Sequence, residues 1–206
     1  MKVMLLNGSP KANGNTRAAL EECARELNKC GVETELVDIG AGSVPGCTAC
    51  GACTRLGKCV IDDAVNVFRA KLAAADGLVV GTPVYYASPN GSLISFMDRL
   101  FFSGSGDFAH KPAAAVAVAR RAGTVASFDV LNKYFTISEM PVVASSYWND
   151  VFGQTPGQAG ADAEGMQTMR NLARNMAWML KCIELGRANG VNPPENEHSS
   201  MTNFIR

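Results

Sequence analysis

Short apolar segments alternate with longer amphipathic segments along the chain, and the two kinds predict different elements. Five short apolar or alternating runs predict strands: Val3–Leu6, Val32–Asp38, Leu78–Val80, Pro112–Ala119 and Pro141–Ala144. Strands that alternate with helices predict an α/β domain with a doubly wound, five-stranded parallel sheet and helices on both faces.

The segments between these strands carry apolar residues at helical spacing. They predict five helices: around Leu20–Leu27, Val65–Leu72, Gly91–Phe102, Thr124–Phe135 and Met166–Ile183. Asp62 and Asp63 are expected to cap the second helix. Trp148–Asp162 reads as a long irregular stretch. We expect a single domain over residues 1–190, followed by a polar tail over residues 191–206.

Composition and charge exclude several classes of partner. Nineteen basic and nineteen acidic residues cancel, and no basic run occurs, so neither nucleic acid nor an anionic membrane is an expected partner. The longest apolar runs are too short to span a bilayer, and the first residues do not form a signal peptide. We therefore expect a cytoplasmic protein.

A loop rich in hydrogen-bond donors follows the first predicted strand. A small-residue loop between a strand and a helix directs backbone N–H groups at an anion, and the helix dipole adds favourable potential there. The loop has neither the nucleoside-triphosphatase nor the dinucleotide glycine pattern, so a single phosphate such as that of FMN is expected. The alternative is an ordinary turn with an N-cap at Asn15 or Thr16. The predicted phosphate ligands are Ser9, Lys11, Asn13, Asn15 and Thr16.

Three segments together resemble the NAD(P)H-dependent FMN reductases, a family with a flavodoxin-like fold. They are GSPKANGNT at 8–16, TPVYYASPNG at 82–91 followed by FMDR at 96–99, and RRAGT at 120–124. The resemblance extends over nearly the whole chain to about residue 190. It implies FMN as the cofactor and the strand order 2-1-3-4-5.

The resemblance also implies which residues contact the flavin. An isoalloxazine ring needs a flat apolar face and backbone donors, and a cation near its N1 and O2 stabilises the anionic reduced form. The alternatives are a proline-stiffened connector with core tyrosines and a solvated basic turn. Asp98 and Arg99 are expected to pair structurally within their helix region. The implied ring contacts are Pro83, Val84, Tyr85, Tyr86 and Ser88, with Arg120, Arg121, Gly123 and Thr124 on the pyrimidine side.

A cysteine-rich loop over residues 46–60 carries the pattern Cys47-x2-Cys50-x2-Cys53-x5-Cys59. Closely stepped cysteines are typical of iron–sulfur clusters, whereas structural zinc usually takes ligands from two separate knuckles. The spacing resembles the compact motif of archaeal-type iron–sulfur flavoproteins, which share the flavodoxin-like fold. That resemblance implies that the four cysteines bind a [4Fe–4S] cluster. Free thiols, a redox disulfide and zinc stay open as alternatives.

We expect an oxidoreductase in which bound FMN carries electrons from NAD(P)H to a small acceptor, such as a flavin, quinone, nitro or azo compound, or metal chelate. Because the flavin carries the chemistry, no catalytic side chain is predicted. One alternative is an iron–sulfur flavoprotein that passes electrons between ferredoxin, a cluster and FMN. Another is a flavodoxin-style electron carrier or redox sensor. A homodimer or homotetramer is expected, because the site of an open sheet is shallow.

Overall fold

A computed structural model of the chain describes residues 1–202 and 204, and shows strands and helices in alternation. The elements are β1 (Lys2–Asn7), α1 (Asn15–Lys29), β2 (Glu33–Asp38), α2 (Cys53–Leu56), α3 (Ala64–Ala73), β3 (Gly77–Tyr85), β4 (Ser88–Pro89), α4 (Gly91–Phe108), β5 (Ala113–Ala119), α5 (Thr124–Ile137), β6 (Asp150–Phe152), a 3₁₀ turn (Gln158–Ala161) and α6 (Ala163–Ala188).

Five parallel strands form the sheet in the order β2-β1-β3-β5-β6, and β4 pairs antiparallel with β3. With the short β4 set aside, the parallel strands follow the predicted order 2-1-3-4-5. The sheet differs slightly from the prediction, because it gains β4 and its fifth parallel strand is β6. The carboxyl ends of parallel strands meet at one edge of a sheet, and ligands of open α/β sheets bind beyond that edge.

Alternate residues of β1 enter two separate cores. Val3 and Leu5 pack with α1 and α6 on one face, whereas Met4 and Leu6 pack with α3, α4 and α5 on the other. Successive side chains of a strand point to opposite faces, and a parallel sheet covered on both faces needs apolar residues at every position. The helices on both faces therefore follow directly from the continuous apolar run of β1.

Ion pairs join α1 to α6 beside the core that contains Val3 and Leu5. The buried Glu22 accepts from Arg170 at 2.6 Å, and the buried Glu26 accepts from Arg174 at 2.7 Å. The hydrogen bond from Arg174 is the main reason that the pKa of Glu26 lies below its usual value. These ion pairs fix the position of α1, whose first turn follows the loop after β1.

The position of the last strand was predicted wrongly. Val142 forms only an isolated bridge with Ala113, and β6 lies instead within the stretch that was expected to be irregular. Two consecutive valines at 142–143 mimic a strand, but only three residues of β6 reach the end of β5, where Ala117 pairs with Asp150. The edge strand is thus interrupted between residues 144 and 149.

Two other elements extend further than their sequence patterns indicate. β3 continues through Thr82 and Pro83 to Tyr85, because Pro83 pairs with Val118 near the end of the sheet. The fourth helix continues past Phe102 to Phe108, which packs edge-on against Phe101.

The predicted cap at Asp63 is confirmed, since its carboxylate accepts from the backbone N–H of Val65 at 3.0 Å.

The chain after α6 lies on the surface. Among the described residues 191–202, none is in a helix or strand, and His198 lies 3.3 Å from a carboxylate oxygen of Glu139. The predicted tail also includes residues 203, 205 and 206, which lie outside the described residues. No helix in the described part of the chain combines the length and the apolar character that a bilayer crossing requires.

Candidate functional site

The loops that follow β1, β3, β5 and β6 meet at the carboxyl edge of the sheet. The backbone N–H of Gly8 donates to Gly81 O at 2.8 Å, and that of Gly153 donates to Ala119 O at 2.9 Å. These contacts bring the loops together at one edge. A Cβ at Gly8 would lie 2.4 Å from the Leu93 side chain, so the first loop can approach α4 this closely only with glycine at this position.

The loop after β1 folds back on itself around two buried hydroxyl side chains. Ser9 Oγ accepts from the Lys11 N–H at 3.2 Å, and the Ser9 N–H donates to Asn7 Oδ1 at 3.1 Å. Ser9 and Thr16 are both buried, whereas Lys11 and Asn13 are exposed. The two hydroxyl side chains of the loop are therefore buried, whereas the Lys11 ammonium is exposed to solvent.

Helix α1 begins at this loop without a side-chain cap, since Gly14 occupies the N-cap position. By contrast, side chains of Asp63, Asn90 and Asp162 cap α3, α4 and α6. The N–H groups of a first helical turn have no intrahelical acceptor, and the helix dipole favours an anion beside them. An uncapped helix start next to two hydroxyls fits the phosphate of FMN.

The side chain of Asn15 has a different role from the predicted one. Its amide donates to Thr155 O at 3.0 Å, and its oxygen accepts from the Ala159 N–H at 3.2 Å. The amide therefore fixes the loop after β6 against the start of α1. The backbone N–H of Asn15, at the first position of the uncapped helix α1, could still bind an anion.

The tyrosine segment forms the hairpin between β3 and β4, in which Val84 pairs with Pro89 and Tyr85 with Ser88. Tyr86 is fully exposed at its tip with a φ of 57°, and Tyr85 is also exposed. A residue other than glycine in the left-handed region costs roughly 1 kcal/mol and often marks a functional segment. The tyrosines are not core residues, and their free rings suit contact with a planar flavin.

The loop between β5 and α5 packs against this hairpin. Gly123 has a φ of 91°, and a Cβ there would lie 2.9 Å from Val84 Cγ1. Arg120 and Arg121 are exposed, whereas Thr124 is buried at the first position of α5, which also lacks a side-chain cap. Two cations and free N–H groups beside the tyrosine hairpin fit the carbonyl-rich pyrimidine end of a flavin.

Asp150 is a buried acid at this edge that no sequence pattern indicated. One of its carboxylate oxygens is buried without a hydrogen-bond partner among the described residues. Burial raises the pKa of this carboxyl, and the Thr124 hydroxyl opposes the shift. A cavity of about 460 Å³ adjoins it, lined in part by Tyr147 and Trp148, whose ring centroids lie 5.1 Å apart.

The four cysteines of the loop 46–60 line one small cavity of about 20 Å³. Cys47 and Cys50 are exposed, Cys53 and Cys59 are half-buried, and all four are free thiols. No three His, Cys, Asp or Glu side chains of the described residues lie in a metal-binding arrangement. The structure thus brings the predicted ligands to a common cavity without placing them at ligand distances.

The donor set around this cavity fits an iron–sulfur cluster. Among the described residues, no carboxylate or imidazole side chain lines it, and thiol donors favour soft metals over magnesium or calcium. A hydrogen bond from the backbone of Ala52 lowers the pKa of Cys50, which favours the thiolate that a metal requires. Cys53 Sγ contacts Phe102 O at 3.6 Å, so the loop also touches α4.

Arg99 of α4 is fully buried below the cysteine loop. Its Nε–H donates to Cys59 Sγ at 3.3 Å, and its terminal nitrogens donate to Asp63 at 2.7 and 2.8 Å. The expectation that Asp98 and Arg99 pair within their helix region was wrong, because Asp98 accepts from Tyr134 of α5. Each partner lies far away along the chain, so helical spacing could not reveal these contacts.

Known proteins resemble this chain over most of its length. A family model described as NADPH-dependent FMN reductase matches residues 1–155. An iron–sulfur flavoprotein of Methanocaldococcus jannaschii is 32% identical over 192 residues, which cover 89% of this chain and 100% of that protein. One from Methanosarcina thermophila is also 32% identical over 192 residues, with 91% of this chain and 99% of that protein covered.

A solved structure supports the fold independently. The NAD(P)H:quinone oxidoreductase from Methanothermobacter marburgensis superimposes with a TM-score of 0.66 at 17% identity, over 85% of this chain and 98% of that one. The order of the parallel strands is that of the flavodoxin-like fold. The chain therefore belongs to the NADPH-dependent FMN reductase family and is a flavodoxin-like, FMN-dependent oxidoreductase.

Proposed function

We propose that this oxidoreductase passes electrons between FMN at the carboxyl edge of the sheet and a [4Fe–4S] cluster held by Cys47, Cys50, Cys53 and Cys59. The observation that carries the proposal is the common cavity of these thiols above α4. Asn90, which caps the same helix, bonds Gly8 in the loop after β1. One helix thus joins the two proposed redox sites.

The start of the cysteine loop lies near the edge of the sheet, whereas the thiol cavity is lined by Arg99, Phe102 and Ser103, further along α4. A Cβ at Gly46, next to Cys47, would lie 3.8 Å from Ser95 Oγ on α4. Ser95 follows Asn90 by about one and a half helical turns, roughly 7 Å along the axis. The start of the cysteine loop is therefore close to the edge at which the flavin is proposed to bind.

Different residues of the edge bind different parts of FMN in this proposal. Ser9, Thr16 and the first N–H groups of α1 bind the phosphate, and the β3–β4 hairpin covers the ring. Arg120 and Arg121 stabilise negative charge at the pyrimidine end. When bound, FMN supplies the redox chemistry, since its ring accepts and releases electrons.

The relatives named iron–sulfur flavoproteins favour this assignment of the cysteines. They also favour a small electron-transfer protein such as ferredoxin as the partner, because a cluster near the surface exchanges single electrons with such carriers. The cysteine loop offers them an accessible position, with Cys47 and Cys50 exposed.

The test is anaerobic reconstitution of the full chain with iron and sulfide, followed by iron analysis and a visible spectrum. We expect about four irons per chain and broad absorption beneath the flavin bands. Cys50→Ser should lose the cluster, whereas Cys182→Ser, at an exposed cysteine on α6, should keep it. A wild-type protein that binds FMN without iron would refute the cluster, and zinc in its place would reassign the loop.

A second candidate is an NAD(P)H-dependent reductase without a cluster. The absence of a preformed metal-binding arrangement among the described side chains favours it, as does the exposed tyrosine hairpin, which leaves the edge open to a small acceptor. Anaerobic mixing with NADPH distinguishes the candidates. Rapid bleaching of FMN in iron-free protein would support the second one, and bleaching only through reduced ferredoxin would support the first.

A further inference from the structure

We propose that Arg99 is a positioning residue of the cysteine site that raises the reduction potential of a cluster bound there. It does so by donating its Nε–H to Cys59 Sγ and by placing its positive charge beneath the loop. This inference rests on the proposed cluster and adds a residue that the cysteine pattern does not contain.

The guanidinium of Arg99 uses all of its N–H donors on one segment of chain. Beyond Cys59 and Asp63, it donates to Ile61 O at 2.9 Å and to Pro45 O at 3.4 Å. An arginine has five N–H donors in a rigid fork, and the segment 45–63 accepts from each. Arg99 therefore ties the two ends of the cysteine loop together on α4.

The charge of Arg99 is compensated by a single acid. A buried charge is expensive unless it is paired and hydrogen-bonded, and Asp63 supplies a two-pronged pair at 2.7 and 2.8 Å. Hydrogen bonding from Arg99 lowers the pKa of Asp63. Because Asp63 accepts from both terminal nitrogens of Arg99, the Nε–H remains available to donate to Cys59 Sγ.

The hydrogen bond to sulfur gives the arginine an electronic role. A donor on a ligand sulfur withdraws electron density and stabilises the more negative, reduced state of a cluster. Lysine cannot supply the same arrangement, since an ammonium is a point donor without the planar fork. The variant Arg99→Lys therefore retains the positive charge and loses the planar arrangement of N–H donors.

The test compares midpoint potentials of the reconstituted cluster, followed by electron paramagnetic resonance during redox titration. We expect a lower potential for Arg99→Gln and a smaller decrease for Arg99→Lys. Asp63→Asn should raise the potential, because it removes a negative charge and leaves Arg99 uncompensated. The matched control is Arg69→Gln, since Arg69 also donates to Ser103 O of α4 at 2.9 Å but donates to no cysteine among the described residues.

The opposite signs separate an electronic role from a structural one. Arg99→Gln and Asp63→Asn break the same ion pair, so a merely structural role would shift both potentials alike or leave them unchanged, and either result would overturn the inference. If Arg99→Gln does not fold by circular dichroism, Asp63→Asn and Arg99→Lys still decide the matter. A wild-type chain without a cluster would refute the proposed function itself, and the role of Arg99 with it.

Discussion

The side-chain amide of Asn90 donates a 2.6 Å hydrogen bond to the carbonyl of Gly8. This contact joins the residue between β4 and α4 to the loop after β1. The oxygen of the same amide caps α4 by accepting from the Ser92 N–H at 3.2 Å, and the Asn90 N–H donates to Thr82 Oγ1 at 3.2 Å. One buried side chain therefore aligns the loop after β1 and the end of β4 with α4, at the edge where we propose that FMN binds.

Asn90→Ala should destabilise the fold by about 1–3 kcal/mol, because a buried carbonyl loses its donor and α4 loses its cap. FMN affinity should fall as well, since the two loops are no longer aligned. Thermal unfolding and FMN titration measure the two effects. The control is Asn175→Ala, which removes an exposed amide that donates to Ala144 O at 2.8 Å; equal losses in both variants would contradict the proposed role.

Ser9→Ala combined with Thr16→Val should weaken FMN binding by about 10–100-fold, the range expected for loss of hydrogen bonds to a charged group. Riboflavin, which lacks the phosphate, provides the matched comparison, and its affinity should change little. Fluorescence quenching reports both dissociation constants. A proportional loss of riboflavin binding would show that the two hydroxyls shape the site instead of contacting the phosphate.

Arg120→Gln combined with Arg121→Gln should lower the midpoint potential of bound FMN. The two exposed cations stabilise the negative charge of the reduced flavin in our proposal, so their removal favours the oxidised form. Spectroelectrochemistry of the FMN-loaded protein measures the shift. Lys133→Gln removes an exposed cation further along α5 and should leave the potential unchanged; a similar shift there would indicate a general charge effect.

Gly123→Ala should destabilise the protein by about 1–3 kcal/mol, because a side chain at a φ of 91° is strained and its Cβ would lie 2.9 Å from Val84. The β3–β4 hairpin must then move, so FMN binding should weaken too. Gly91→Ala is the control, since a Cβ there meets nothing within 4 Å. Denaturant unfolding compares them, and equal stabilities would contradict the close packing of the loop on the hairpin.

Asp150→Asn should become more stable relative to the wild type as the pH rises. Burial raises the pKa of Asp150, so ionisation costs more free energy in the folded state than in the unfolded one. The wild type therefore loses stability from about pH 4, the usual value for an unfolded aspartate, up through the raised pKa. Unfolding midpoints from pH 4 to 8 test this, and a constant difference between the two proteins would contradict it.

Local patterns were sufficient to predict β1, β2, β3 and β5 and the edge on which the candidate site lies. β1 and β5 are continuous apolar runs, and α1 and α6 keep apolar residues at helical spacing, so each element is determined by nearby residues. The parallel pairing then follows from the alternation of strands and helices, whereas the strand order was implied by the resemblance to the FMN reductases. The loop proposed to bind the phosphate could be predicted because its hydrogen-bond donors lie within one contiguous segment.

Contacts between distant residues could not be predicted in this way. Arg99 reaches Pro45 and Asp63 across 54 and 36 residues, and Asn90 reaches Gly8 across 82. No local period encodes such contacts, because they depend on how two loops meet after folding. β6 escaped prediction for a related reason: its three residues are defined by pairing with β5, since they have no apolar run of their own.

The interrupted last strand also affects how this chain meets its neighbours. Unpaired strand edges are templates for aggregation, and proteins protect them with short strands and charges. At one end of the sheet β6 offers only three residues, and at the other β2 carries Glu35, held between Lys2 and Lys71. Neither edge suits the addition of a strand from another copy, so self-association by this protein should use helix faces or loops and should not lead to fibrils.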